Sequence, residues 1–126
     1  MMPLTERFHS AIREQLASGD MADDARTVTY YAGLLLVHPN HLNAVVKKNT
    51  GKPAIRHIHQ HVIAEAQYLL SQTALSVKEV AYRLAFRQPA HFHTFFRKHT
   101  QLTPAEYRRI ATMGRIPGID SNCRQL

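Results

Sequence analysis

The sequence predicts an all-α protein of about seven helices, in which two helix-turn-helix subdomains are joined by a long linker helix. Apolar residues recur every three or four positions, the period of one helix face, and no convincing strand pattern competes. Proline, glycine and capping residues mark the borders between these periodic segments. The third observation is an internal repeat, in which the pattern of residues 27–51 returns forty-nine to fifty positions later as residues 76–101.

The first helix is predicted from an apolar residue at every fourth position, namely Leu4, Phe8, Ile12 and Leu16. Thr5 is its candidate cap and Ser18-Gly19 its candidate stop. The second helix is expected to start at Thr27. The third has Pro39 in its first turn, where the missing N–H costs nothing, and is expected to end at Gly51 in a left-handed cap.

The longest helix is predicted to open at Pro53 and to run to about Ser71. Its apolar stripe comprises Ile55, Ile58, Val62, Ala66, Leu69 and Leu70. Helix six is expected over residues 88–100, and helix seven is expected to fade after Arg109. Helices five and seven each begin with the spacing of a capping box, which pairs Ser76 with Glu79 and Thr103 with Glu106.

These borders divide the chain into five predicted parts. They are a leading helix with an acidic linker (1–24), the first helix-turn-helix (25–52), the linker helix (53–72), the second helix-turn-helix (73–111) and an irregular tail (112–126).

The repeat matches apolar with apolar and basic with basic positions. In the first helix of each pair, Thr27, Val28, Ala32, Leu35 and Val37 recur as Ser76, Val77, Ala81, Leu84 and Phe86. After a one-residue slip in the turn, Pro39, His41, Leu42, Val45, Val46, Lys47, Lys48 and Thr50 recur as Pro89, His91, Phe92, Phe95, Phe96, Arg97, Lys98 and Thr100. A helical bundle with accidental self-similarity is the alternative interpretation.

The basic charge of the chain is concentrated in the repeat. Sixteen Lys and Arg residues stand against nine Asp and Glu, which gives a net charge of +7 and a pI near 10.0. Between Ala25 and Arg109, twelve basic residues accompany three acidic ones, so this segment carries +9 and the other 41 residues carry −2. Such an imbalance favours a polyanionic partner, and the tandem pattern predicts a protein that contacts two neighbouring stretches of DNA major groove.

The second helix of each pair must turn one face to the core and another to the groove. In helix three, Leu42, Val45 and Val46 are expected to lie inward, opposite a face of Asn40, Asn43, Ala44 and Lys47. In helix six, Phe92, Phe95 and Phe96 are expected inward, opposite Ala90, His93, Thr94 and Arg97. Asparagine can bind the adenine edge, and the methyl groups of alanine and threonine can contact thymine. Lys47, Lys48, Arg97 and Lys98 lie toward the helix ends and suit phosphates.

The linker helix has a mechanical interpretation in this scheme. Nineteen residues at 1.5 Å each span about 28 Å, which suits a strut that holds two recognition helices near the ~34 Å repeat of adjacent grooves. A plain core helix that sets no spacing is the alternative.

A family resemblance is specific at these residues. The second unit carries the run from Ser76 to Phe86 (SVKEVAYRLAF), then PAHF from Pro89, FFRK from Phe95 and LTPAEYR from Leu102. The first unit adds HPNHL from His38 and VVKKNTG from Val45, and the linker adds Glu65-Ala66 and Leu69-Leu70. Over roughly Phe8 to Arg109, the chain resembles the DNA-binding domain of AraC/XylS-type transcription regulators.

The resemblance implies which residues read bases, and it shows some departures. The family's base-reading positions fall on Asn40, Asn43, Ala44, Ala90, His91 and Thr94. Two of these are alanines and none is arginine. Direct recognition of bases is therefore expected to be weaker than in relatives that have more hydrogen-bonding side chains at these positions. The family usually has glycine where Ala85 and Gln101 stand, and commonly serine where His38 precedes helix three.

The resemblance also implies partners. Double-stranded DNA and RNA polymerase are expected, in an activator of bacterial transcription that works in the cytoplasm without a cofactor. Most family members carry an additional N-terminal effector or dimerisation domain. The chain therefore looks like an isolated C-terminal half, although short stand-alone members occur.

Composition argues against several other classes. The single cysteine, Cys123, excludes a disulfide framework within the chain and fits a reducing cytoplasm. No apolar run approaches membrane-spanning length, and the N-terminus lacks the pattern of a signal peptide. No carboxylate pair, phosphate-binding loop or Ser/His/Asp order predicts an enzyme.

Three rival hypotheses remain for the function. His57 and His61 have the i, i+4 spacing of a zinc pair, but no cysteine or acid completes an obvious site, so no metal is predicted. An architectural DNA-bending protein would bind random and selected duplexes alike. A protein-interaction module would bind no DNA at physiological salt.

Overall fold

Seven α-helices form the regular structure of residues 2–113, the part of the chain that this computed structural model describes. They are α1 (Leu4–Ala17), α2 (Val28–Leu34), α3 (Pro39–Thr50), α4 (Ala54–Gln72), α5 (Val77–Arg83), α6 (Pro89–Thr100) and α7 (Pro104–Thr112). The predicted all-α fold is confirmed, and no strand occurs among these residues. None of these helices combines the length and the apolar character that a membrane crossing requires.

Most helix borders lie where the sequence predicts them, with two exceptions at the ends. Thr5 is not the cap of α1: the helix begins after Pro3 without a side-chain cap, and the Thr5 hydroxyl instead accepts a hydrogen bond of 2.7 Å from Asn49 Nδ2. At the other end, α7 continues three residues beyond Arg109. The predicted tail over 112–126 lies outside the described residues from position 114 onward, and Cys123 lies there too.

Contacts between residues group the chain into two units, Met1–Val62 and Ile63–Leu126, so that the boundary falls within α4. In the first unit, α1 packs on both α2 and α3, although the sequence set it apart as a leading helix. Phe8 of α1 meets Tyr31 of α2 edge to face, with ring centroids 5.7 Å apart. The Tyr31 hydroxyl donates a 2.6 Å hydrogen bond to the carbonyl of Ala25, which satisfies the polar end of this buried ring.

In the second unit, α6 packs between α5 and α7. Phe92 and Phe96 are fully buried, as predicted for the inward face of this helix. Phe92 contacts Phe86 at the end of the turn, and Phe96 contacts Tyr107 of α7, with centroid separations of 5.3 and 5.5 Å. This aromatic row fixes which side of α6 faces outward, because rotating the helix would expose two large apolar rings.

The turn inside each helix-turn-helix has the same backbone geometry. Leu36 and Ala85, forty-nine residues apart, both adopt left-handed conformations, with φ of 59° and 67°. In each turn the following residue donates its N–H five residues back, from Val37 to Ala32 and from Phe86 to Ala81. This is the Schellman arrangement that ends a helix and redirects the chain. Neither position is glycine, so both turns carry the conformational cost of a side chain in this region.

The ends of the two recognition helices also repeat. Gly51 and Gln101, fifty residues apart, end α3 and α6 in left-handed conformations, with φ of 81° and 70°. Just before them, the hydroxyls of Thr50 and Thr100 donate to the carbonyls of Val46 and Phe96 at 2.8 Å. The predicted glycine cap is confirmed in the first unit, and the second unit forms the same cap with glutamine.

Exchanging glycine and glutamine at these two caps should change the stability of the protein in opposite directions. Gln101→Gly should raise the free energy of unfolding by about 0.5–1 kcal/mol, because glycine adopts a positive φ without the steric cost of a side chain. Gly51→Gln should lower it by a similar amount, since nothing lies within 4 Å of the added Cβ and only the backbone cost remains. Urea denaturation measures both. Gln101→Ala is the control, because it removes the side chain but keeps the strained φ; a gain equal to that of Gln101→Gly would contradict the argument.

Candidate DNA-binding surface

The two helix-turn-helix units each begin their second helix with a proline. In α3, His38 precedes Pro39, and the His38 Nδ1 atom accepts a 3.1 Å hydrogen bond from the N–H of Asn40. The histidine thus caps the helix at the position where the family that the sequence resembles commonly has serine. In α6, Gln88 precedes Pro89 without a side-chain cap. Both prolines fit the first helical turn, where no intrahelical N–H bond is lost.

Nearly all the residues predicted to contact DNA are exposed. On α3 these are Asn40, Ala44, Lys47 and Lys48, and on α6 they are Ala90, His91, His93, Thr94, Arg97 and Lys98. The opposite faces are buried at Leu42 and Val46 and at Phe92 and Phe96, whereas Val45 and Phe95 are only partly covered. Each unit therefore brings its predicted contact residues together on one solvent-facing side of its second helix.

The outward side of α6 carries a shallow depression. Its lining residues are His93, Thr94, Arg97, Lys98 and Gln101. The Thr94 hydroxyl donates within the helix to the carbonyl of Ala90 at 3.1 Å. The depression thus combines two permanent cations with polar side chains, a composition that suits contact with an anionic surface.

The exposed charge of the segment from Ala25 to Arg109 is mainly positive. Ten of its twelve basic residues are exposed, and only Arg26 and Arg108 are partly buried. Two of its three acids, Glu79 and Glu106, form the predicted capping boxes, which are confirmed. Each carboxylate accepts the N–H of its cap residue, and this hydrogen bond lowers the pKa of both glutamates. Their negative charge is held at the starts of α5 and α7, where helix dipoles favour it.

Asn43 differs from the other predicted contact residues, because its side chain has an internal partner. Its Oδ1 atom accepts a 2.9 Å hydrogen bond from the N–H of Ala54, the first residue of α4, and Ala54 is fully buried. Pro53, which precedes α4, offers no side-chain acceptor for this N–H. Asn43 therefore fastens the start of the linker helix to α3, a role that was not predicted from the sequence.

The other end of α4 is held by Arg108, within the second unit. Its Nε atom donates to the carbonyl of Leu70 at 2.9 Å, and its guanidinium reaches the carbonyl of Thr73 at 3.4 Å. A cation at the last carbonyls of a helix satisfies groups that have no intrahelical partner. Arg108 thus stabilises the end of the linker helix.

The histidine pair considered as a zinc site has internal partners instead. His57 Nε2 shares a 2.8 Å hydrogen bond with the Thr50 hydroxyl, and His61 Nε2 shares one of 2.9 Å with His9 Nδ1. Burial, together with the charges of His9, Arg13 and His57, lowers the pKa of His61 to about 4. Within residues 2–113, no group of three or more His, Cys, Asp or Glu side chains is placed to hold a metal ion.

The internal bond of Asn43 gives a testable difference between two asparagines on α3. Asn43→Ala should lower the free energy of unfolding by about 1–3 kcal/mol, because it leaves the buried Ala54 N–H without an acceptor. Asn40→Ala should change it by no more than about 0.5 kcal/mol, since this side chain is exposed. Chemical denaturation of both variants measures the difference. Equal losses of unfolding free energy would contradict a stabilising role for the bond between Asn43 and Ala54.

The chain is similar to known proteins that contain helix-turn-helix domains. A family model described as a helix-turn-helix domain matches residues 31–110. The chain is 33% identical over 109 residues to the HTH-type transcriptional regulator GlxA of Rhizobium meliloti, covering 86% of this chain and 31% of that protein. It is 34% identical over 68 residues to the HTH-type transcriptional activator RhaS of an Enterobacter species, covering 54% and 24% of the two chains.

Solved structures agree with this. The C-terminal domain of AraT, a response regulator from Geobacillus stearothermophilus, superposes with a TM-score of 0.73 at 27% identity. The match covers 86% of this chain and 85% of that domain. The chain spans less than a third of the length of the two full-length relatives, GlxA and RhaS.

Proposed function

Because the chain belongs to the AraC-type helix-turn-helix family, we propose that it is the DNA-binding part of a transcription regulator and that it reads double-stranded DNA with α3 and α6 in adjacent major grooves. The observation that carries this proposal is the repetition of one exposed, basic helix face at equivalent positions of the two units. The two relatives named above are transcription regulators, and they give no reason to propose catalysis.

The proposed contacts divide into two kinds. Asn40, Ala44, Ala90, His91 and Thr94 lie on the outward sides of their helices, where they suit base edges. Lys47, Lys48, Arg97 and Lys98 lie in the last turns and suit phosphates, which supply affinity without sequence information. His93 and Asn43 stand at equivalent positions of the two helices, but only His93 is exposed.

For the whole regulator, we propose further partners. The two full-length relatives are a transcriptional regulator and a transcriptional activator, each more than three times as long as the segment matched here. From the family we infer that an effector-binding or dimerisation domain accompanies this one, that RNA polymerase is the second partner, and that the protein acts in the bacterial cytoplasm.

A second candidate is an architectural protein with little sequence choice. The alanines at positions 44 and 90 favour it, since a methyl group can contact thymine but cannot make a hydrogen bond to a base. Competition between a selected duplex and a random duplex separates the candidates. An affinity ratio near one would support the architectural role, and a ratio of about 10³ or more would support the proposed regulator.

The proposal predicts a steep salt dependence. If about five to ten phosphates are contacted, log affinity should fall linearly with log salt, with a slope near −0.9 per contact. Lys47→Ala should weaken binding to all sequences alike, and it should reduce the magnitude of the slope by about 0.9, the value for one phosphate contact. Arg7→Ala is the matched control, because it removes an equal charge from α1, outside the proposed surface. Titration at several salt concentrations measures both, and a flat response of the unaltered protein would contradict phosphate binding.

The proposal also predicts a fixed spacing between half-sites. If α4 acts as a strut, one molecule should protect two major-groove segments about one helical turn, roughly 10 bp, apart. Inserting about five base pairs between them rotates one segment to the opposite side of the duplex, so affinity should fall toward that of one half-site. Inserting about ten base pairs restores the face but doubles the distance, so a rigid strut should lose the second half-site there as well. Undiminished affinity for the five-base-pair insertion would show that the units do not bind as one rigid body.

A further inference from the structure

We infer that base reading is concentrated in α6, where His93 is a specificity-determining residue, and that the equivalent Asn43 in α3 is a positioning residue rather than a base reader. This inference rests on the proposed function, and it goes beyond it in assigning unequal roles to two helices that the repeat makes similar. It starts from a single hydrogen bond between α3 and α4.

The bond commits the oxygen of Asn43. An asparagine recognises adenine through two atoms at once, with its oxygen accepting from N6 and its amide nitrogen donating to N7. In this structure Oδ1 accepts the N–H of Ala54, and the donor character of a backbone N–H requires that the oxygen, not the nitrogen, stands there. An amide oxygen can accept a second hydrogen bond, so the constraint is one of direction. Turning the amide away from Ala54 to present both of its atoms to a base would leave the Ala54 N–H without an acceptor in a fully buried position.

In the second unit, the residue equivalent to Ala54 has no N–H that needs an acceptor. Fifty residues after Ala54 stands Pro104, the first residue of α7, which has no N–H. The residue before it, Thr103, caps the helix with its own hydroxyl, which accepts the N–H of Glu106 at 3.1 Å. The first residue of α7 therefore needs no hydrogen-bond acceptor from α6. His93, which stands fifty residues after Asn43, is exposed and lines the depression on the outward side of α6.

The two helices are thus left with different sets of side chains for base edges. On α3, Asn40 and His41 are the exposed hydrogen-bonding residues in the first turn, and the next outward position is Ala44. On α6, His91, His93 and Thr94 are exposed within four positions. Imidazole nitrogens can donate to or accept from a base edge according to their protonation. The half-site under α6 should therefore carry the greater share of base discrimination.

The test uses substitutions that exchange the features of the two units. Affinity is measured by competition against the selected duplex and against every single-base-pair variant of each half-site. In parallel, urea denaturation measures folding. Asn43→Ala should bind all duplexes more weakly by the same factor. The ratios of affinity between duplexes that differ at one base pair of the α3 half-site should change less than twofold. His93→Ala should reduce discrimination about tenfold at one base pair of the α6 half-site and leave the urea midpoint unchanged.

Ala54→Pro supplies the rescue. It gives α4 the proline start that α7 has. Proline has no N–H, so the oxygen of Asn43 is no longer needed as an acceptor. Adding Asn43→Ala to the Ala54→Pro protein should therefore cause no further change in the urea midpoint. The released Asn43 should also gain discrimination for one base pair of the α3 half-site, by about tenfold. Asn43→Asp is a second variant that keeps the oxygen acceptor and removes the amide donor, and it should lower affinity for all duplexes alike.

The outcomes separate the inference from the function on which it rests. Loss of discrimination at one base pair in a folded Asn43→Ala or Asn43→Asp protein would overturn the positioning role. Unchanged discrimination in His93→Ala would overturn the role of α6. Failure of the unaltered protein to prefer any duplex would contradict the proposed function, whereas the stability coupling between positions 43 and 54 would still be measurable without DNA.

Discussion

The outward faces of α3 and α6 depend on the burial of their inward faces. Leu42 and Val46 in α3, and Phe92 and Phe96 in α6, have no exposed surface. Burying a side chain of this size stabilises a protein by about 1.5–3 kcal/mol relative to leaving it in water. Because a helix has one rotation that buries both residues of such a pair, the same packing determines which polar side chains face solvent. Contact with DNA is in this sense a consequence of the core.

The ends of these helices are set by local constraints of the backbone. Left-handed residues at positions 36, 51, 85 and 101 end four helices, two in each unit. Only one of the four is glycine, so the chain tolerates a side chain at three places where a turn is required. The conserved geometry of the two units, despite different residues, indicates that the turn itself matters more than the residue that forms it. The threonines at 50 and 100 support this view, because they make the same hydrogen bonds in both units.

Features that depend on neighbours along the chain were predictable from the sequence. The capping boxes at Ser76 and Thr103 and the glycine cap at Gly51 follow from spacings of a few residues, and all three are confirmed. Thr5 shows the limit of this reasoning, because the side-chain cap that it could provide is replaced by a bond to Asn49 on another helix. The predicted site residues other than Asn43 lie exposed on one side of their helices, because the spacing of the apolar residues predicts which face is buried.

Bonds between distant residues could not be predicted in the same way. Asn43 meets Ala54 across a turn, Arg108 meets Leu70 thirty-eight residues away, and His9 meets His61 fifty-two residues away. Each pairing depends on how helices pack, and a polar residue on a helix gives no sign of whether its partner is a base, a carbonyl or another side chain. One difference between the repeats was visible in the sequence: Pro104, which has no N–H, stands at the position equivalent to Ala54.

Selection from a pool of random duplexes tests the central claim most directly, namely that this repeat reads two neighbouring stretches of DNA by sequence. The account predicts an enriched motif with two conserved segments whose centres lie about one helical turn, roughly 10 bp, apart, and with more conserved positions in one segment than in the other. Recovery of a pool without a shared motif, despite binding at physiological salt, would contradict it.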